Sequence, residues 1–296
     1  MATADRPGSG TGGVEAGFFS FTQITDASAH RAYNAWHQLD HLPEQMPIAG
    51  IAHGERWVVS PRCLAARDFV SADLAVAHYL TCYLMRPPLG ETIACFYALA
   101  MRLHDEDRFF PHRRAIATAA LAVQSAHAAP RVRVSAAAIP YRPNRGVYAV
   151  VERRQGRPLA EDDAAVPVRK IDDLLRIPGV AGFWTFGQTV SLEDGGVQPA
   201  DQPEGGPATP ETPGSEQSID ASVTLCYLDE DPVAVSAEIS NLLRPDWERD
   251  GRVPDMAGPL EAITPWSWDW FDEDQTRPEQ QVRPEEQTRP KTEGDC

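Results

Sequence analysis

Gly17-Phe-Phe-Ser-Phe-Thr-Gln-Ile24, a glycine followed by apolar and β-branched residues, reads as a strand. Gly146-Val-Tyr-Ala-Val-Val-Glu-Arg153 has the same character and begins 129 residues later. Ala49-Gly-Ile-Ala-His-Gly-Glu-Arg-Trp57 lines up with Pro178-Gly-Val-Ala-Gly-Phe-Trp-Thr-Phe186 at the same offset of 129. Two blocks with one spacing point to an internal repeat. A third, Thr81-Cys-Tyr-Leu84 against Leu225-Cys-Tyr-Leu228, is offset by 144, and the 15 added residues fit an insertion in the second half. The fourth, Ala138-Ile-Pro-Tyr141 against Ala262-Ile-Thr-Pro-Trp266, is closer because the first half carries an extra helix near residues 108–128.

Helical patterns fall between the blocks, at Ala27–His41, Pro88–His104, Val166–Arg176 and Pro232–Leu243. The expected fold is therefore α+β: two ferredoxin-like β-α-β-β-α-β repeats, packed sheet to sheet as an intramolecular α+β barrel. The first repeat spans 17–142 and the second 143–272. Residues 1–16 read as a disordered leader without the basic and apolar regions of a secretory signal. Two further stretches read as disordered: the insertion 191–219, rich in Pro, Gly, Glu, Ser and Thr, and the acidic tail 273–296, which repeats Arg-Pro at a period of six.

The chain has 43 acidic and 27 basic side chains, a formal charge of −16. That argues against binding nucleic acid or an anionic membrane, since neutralising phosphates takes a basic surface. Apolar runs such as Ile93–Met101 are far shorter than the roughly 20 residues that span a bilayer. An odd set of five cysteines without a CxxC pair fits a reduced, cytoplasmic protein. No G-x-G-x-x-G follows a strand, and no Walker lysine motif or nucleophile elbow occurs.

Pro178-Gly-Val-Ala-Gly-Phe, leading into a strand, and Trp36-His-Gln-Leu-Asp-His-Leu-Pro43, closing the first helix, together resemble the dimeric α+β barrel superfamily and, within it, the EthD-like proteins. The resemblance covers roughly residues 17–272 apart from the insertions. It implies a fused pseudo-dimer, either monomeric or a dimer of pseudo-dimers. Superfamily members include cofactor-free isomerases, cyclases, dehydratases and decarboxylases, monooxygenases and haem enzymes, so the fold does not choose a reaction.

All eight histidines precede residue 128, which places any imidazole chemistry in the first repeat. His37 and His41 are spaced i,i+4, with Asp40 placed to orient an imidazole. A zinc reading by analogy with HxxEH is discounted: the acid is Asp, no third ligand is evident, and Pro43 and Pro47 end the helix. A helical wheel puts Ala29, Ala32, Tyr33, Trp36 and Leu39 on one apolar arc, with His30, His37 and His41 roughly opposite. The wheel alone makes the histidines surface residues. The resemblance, by contrast, places His41 where such proteins line a cavity between helices and sheet.

On the second strand, alternation puts His53, Glu55 and Trp57 on one face and Gly54 and Arg56 on the other. His53, Arg56 and Trp57 are candidate pocket residues, a sheet-sheet contact or rim ion pair being the simpler account. His53 matches Gly182 in the repeat, an asymmetry expected if one half kept a site. Tyr79, Tyr83, Phe96 and Tyr97 read as core aromatics or pocket walls. Cys82 and Cys226, at matched positions, read as packing. Phe109-Phe-Pro-His-Arg-Arg114 reads as a solvated helix start that could also receive a carboxylate.

The leading expectation is a cofactor-free enzyme of isomerase, cyclase or dehydratase type. It would bind a small apolar or aromatic carbonyl compound, with His41 as acid or base, Asp40 and His37 beside it, and His53, Arg56, Trp57 and Tyr83 contacting substrate. The alternatives are a non-catalytic ligand carrier or scaffold, and haem or metal binding through the first-repeat histidines.

Overall fold

The computed structural model describes residues 10–153, 170–190, 221–250 and 253–272. Its first half runs β1 (Ala16–Ile24), α1 (His30–Trp36), a π-helical turn (His37–His41), α2 (Leu42–Gln45), β2 (Ile51–Val58), α3 (Pro61–Ala65), β3 (Phe69–Val70), β4 (Tyr79–Met85), α4 (Leu89–Asp105) and β5 (Arg113–Ala128). The second half runs β6 (Gly146–Arg153), α5 (Ile171–Arg176), β7 (Val180–Thr189), β8 (Ala221–Leu228), α6 (Pro232–Asp250) and β9 (Met256–Ala262). Eight strands pair antiparallel in the order β2-β4-β1-β5-β7-β8-β6-β9, and β9 pairs back with β2, so the sheet closes into a barrel. The short β3 adds to β9 alone. The result is a mixed α+β fold whose halves join edge to edge through β5–β7 and β9–β2, not face to face.

Strand alternation decides what lies inside. Phe19 and Phe21 of β1, Trp57 of β2, Leu80 and Cys82 of β4, Trp184 and Phe186 of β7 and Leu225 of β8 fill the barrel as one apolar cluster. The opposite faces carry the helices. In the second half that outer layer is apolar, with Tyr148, Val150 and Phe183 of the sheet against Leu174, Ile239 and Trp247 of the helices.

Residues 113–128 form β5, correcting the expected extra helix near 108–128. Seven of these sixteen residues are alanine, which favours helix in isolation, but here they lie between β1 and β7, where paired neighbours override propensity. The block at Ala138–Tyr141 belongs to a 3-10 helix, Ala136–Tyr141. Two of the sequence matches are also out of step by one residue. Phe18 faces outward while Val147, its partner at the 129 offset, faces the barrel interior, and Cys82 faces inward while Cys226 faces the helices. A one-residue slip exchanges faces. Gly182 has its own explanation: a Cβ there would meet the His127 carbonyl at 2.4 Å, so its contrast with His53 reflects the close approach of β5.

Of the expected leader, residues 10–16 are ordered against the barrel, with Val14 wholly buried in its core. Residues 1–9, the insertion 191–219 and the tail 273–296 lie outside the described residues, as does the start of the helix expected from Val166. Among the described residues no helix is long and apolar enough to cross a membrane. After β9 the chain returns to the first half, where Phe271 stacks on His30 with centroids 3.9 Å apart, Asp272 pairs with Arg31 at 2.6 Å, and the Trp268 indole donates to Gln38 Oε1 at 2.7 Å.

Candidate functional site

In the first half the layer between helix and sheet is polar. His30, Asn34, His37, His41 and Gln45 recur at helical spacing and are all buried, whereas Leu39 on the other side is 55% exposed. The wheel grouped the histidines correctly, but the face it assigned to solvent is the buried one. The reason lies in the opposing sheet, whose outward positions Ser20, Thr22, Arg56, Thr81 and Thr118 are themselves buried and polar. A polar helix face finds its partners there. The helix also changes pitch: Leu42 N–H bonds the His37 carbonyl five residues back, and Pro43, which has no N–H to give, follows directly.

A cavity of about 60 Å³, with room for a few waters, lies where this helix, α4, β1 and β4 meet. Its apolar walls include Phe18, Tyr33, Tyr83, Phe96 and Phe109, and its polar ones His37, His41 and Arg113. Phe96 packs against Phe18 and Tyr83 at centroid distances of 4.9 and 5.2 Å. Among the described residues no aspartate or glutamate lines the cavity.

The His41 ring stacks on Trp36 at 4.6 Å, and the Trp36 indole is fixed by donating to the Arg108 carbonyl at 2.8 Å. His37 and His41 stand edge to face, 5.1 Å between centroids. Burial, helped by the positive charges of Arg113, Arg56 and Arg108, pushes His41 down to about 3. Burial, with Arg56, His41 and Arg113, holds His37 well below the usual imidazole range. Both are neutral at pH 7. Burial raises the Tyr83 phenol well above its ordinary value, so it keeps its proton.

Several buried polar atoms around the cavity have no hydrogen-bond partner among the described residues: Ser20 Oγ, His37 Nδ1, both amide atoms of Gln45, Tyr83 Oη, and Nε and Nη1 of Arg56. An unpaired buried polar group costs about 1–3 kcal/mol, so this many in one place single the cavity out as a candidate binding site.

The structure therefore brings His37, His41 and Tyr83 to the cavity wall, with Arg56 behind Tyr33 and Thr81 of that wall. Asp40 stands elsewhere: it accepts from Arg108 Nη2 at 2.9 Å and does not orient His41, because the helix turns its side chain outward. Asp40→Asn should accordingly change thermal stability by no more than about 1 kcal/mol, the scale of an exposed ion pair, and leave ligand binding unaltered. A larger effect on binding than on melting would return Asp40 to the site. His53 and Trp57 are not brought in either. His53 packs on Tyr141 at 5.2 Å with Glu55 at 3.7 Å, and Trp57 points into the barrel. Among the described residues no three His, Cys, Asp or Glu side chains stand together as a metal site.

Ser20, Thr22, Thr81 and Gln45 were not anticipated as site residues, whereas Arg113 belongs to the stretch read as able to receive a carboxylate. The available signal was the polar set Ser20 and Thr22 alternating with Phe19 and Phe21 on a strand covered on both faces.

No family model matches the chain, and no curated protein matches it. Among solved structures, an anthrone oxidase-like protein is 10% identical with a TM-score of 0.43, covering 85% of this chain and 92% of its own. A mutant chlorite dismutase from Candidatus Nitrospira defluvii, in complex with cyanide, is 11% identical with a TM-score of 0.40, covering 88% and 95%.

Proposed function

We propose that the protein is an enzyme that moves a proton next to the carbonyl of a small apolar or aromatic compound, without a cofactor, in the first-half cavity. The observation that carries this reading is the pair of neutral, buried imidazoles, His37 and His41, facing an aromatic-walled cavity with Arg56 and Arg113 close by. The aromatic walls exclude water and hold an apolar ligand. His41, fixed by its stack on Trp36, takes the α-proton and returns it elsewhere on the molecule, giving an isomerisation, cyclisation or dehydration. The Arg113 guanidinium, which lines the cavity, donates toward the carbonyl oxygen as it becomes an enolate. The arginines that disfavour an imidazolium favour that enolate. The two charges form together and offset one another.

Strand order supports the architectural part of the reading, a fused pseudo-dimer of the dimeric α+β barrel kind. Both halves place their strands as second, third, first, fourth: β2-β4-β1-β5 and β7-β8-β6-β9.

The test is solvent deuterium exchange. A panel of small ketones and 1,3-dicarbonyl compounds in D₂O should include one whose α-protons exchange faster with the protein, and His41→Gln should slow that exchange by about 10²–10⁴-fold. Full exchange activity in His41→Gln would overturn the assignment.

A further inference from the structure

Arg56 is 4% exposed and forms no ion pair with any described residue. Its Nη2 donates to Asn34 Oδ1 at 3.1 Å, while Nε and Nη1 have no partner among the described residues. The guanidinium lies over the rings of Tyr33 and Tyr79, at 5.0 and 5.3 Å from their centroids. Asn34 is held in turn, donating to the Tyr79 hydroxyl and to the His30 carbonyl, both at 2.9 Å. The arginine is thus locked in place by groups that leave its charge uncompensated. Tyr33, which it overlies, and Thr81, its cross-strand neighbour, both wall the cavity.

A buried, unpaired cation costs several kcal/mol of desolvation, which neutral aromatic faces only partly return. The ordinary remedy is an internal carboxylate. Here Glu55, adjacent in sequence, faces the barrel interior with Asn144, and no acid among the described residues lines the cavity. The chain as a whole carries −16, yet this one interior site is cationic. Resting on the reading of the cavity as a ligand site, we propose that it takes the acidic end of its ligand, a planar, singly negative oxygen pair such as a carboxylate, with Arg56 as the counter-ion. Tyr83 Oη, Ser20 Oγ and His37 Nδ1 are the neutral groups placed to complete its hydrogen bonds. The room available fits a headgroup of a few heavy atoms, so the apolar remainder of a larger ligand extends beyond the cavity.

Acetoacetate and acetoacetamide are matched in size and differ in charge, which makes them the test pair. Calorimetric titration of the full chain at pH 7 and low salt should show acetoacetate binding at least ten-fold tighter, with the gap closing as salt is added. Arg56→Gln should remove the preference and leave acetoacetamide binding within about two-fold. Tyr83→Phe, which keeps the ring packing, should weaken acetoacetate more than acetoacetamide. Equal affinities in the unmodified protein, or a preference that survives Arg56→Gln, would overturn the inference. If acetoacetamide binds as well as acetoacetate and shifts the His37 and His41 ring signals in NMR spectra, the anion inference fails while the proposed site stands. Binding of neither compound overturns both.

Discussion

Taking the protein from pH 7 to pH 4.5 should lower its denaturant midpoint steeply, because three imidazoles are folded into places that resist their charge. Burial, with a smaller push from His78, lowers His30 to about 4, and His41 lies at about 3 with His37 well below its ordinary range. In the unfolded chain each titrates near 6.5. As pH falls through 6.5 the unfolded state takes up protons that the folded state refuses, so the stability present above 6.5 is lost progressively down to the folded values. Each histidine contributes a slope of about 1.4 kcal/mol per pH unit in that window, and three together about 4 kcal/mol per unit. Over the two units from pH 6.5 to 4.5 that approaches about 8 kcal/mol, a large part of a total stability of about 5–15 kcal/mol. Guanidinium melts at pH 7, 6, 5 and 4.5 measure this directly, and His41→Asn should remove about a third of the slope. Midpoints that do not move with pH would show that the imidazoles are not held neutral.

Trp57→Ala should cost about 3–5 kcal/mol, the range for truncating a fully buried aromatic side chain. The ring is wholly buried in the barrel, packs edge-on to Tyr227 at 6.2 Å, and donates to Asn144 Oδ1 at 3.2 Å. Its strand position matters as much as its size. β2 meets β9 through only two residue pairs, Trp57 with Ala262 and Val58 with Glu261, so the cavity left by truncation opens at the narrowest seam of the ring. Asn144, which also donates to Glu55 at 2.6 Å, would lose one of its two partners. Thermal melts give the stability loss, and proton exchange measured well below the new melting temperature should be unchanged, since His37 and His41 lie on the other face of the sheet. Lost exchange in a variant that remains folded would make Trp57 part of the site after all.

The strands were legible where apolar side chains run together, as in 17–24 and 146–153, because such runs have few other places to go. β5 was not, since its small residues suit a helix equally well and only the neighbouring strands decide. The first-half site was half legible. Clustered histidines and the absence of any in the second half pointed to the region where the cavity lies, and i,i+4 spacing joined His37 to His41. What spacing could not supply was which helix face the sheet would accept. That depended on Ser20, Thr22, Arg56 and Thr81 arriving from three separate strands, a long-range fact no local window contains. Asp40 failed for a related reason: being one residue from His41 puts it about 100° around the helix, in reach of Arg108.

The return of residues 263–272 to the first half bears on how the molecule is born. A nascent chain presents its earlier residues first, yet Arg31 waits for Asp272, 241 positions later, and His30 waits for Phe271. Until β9 emerges, β2 has one edge of backbone amides and carbonyls without a strand beside it, an invitation to neighbouring chains. The helix bearing the histidines is covered only when the barrel has already closed. The cover over His30, Arg31 and Gln38 is therefore supplied by residues that emerge after every strand of the barrel.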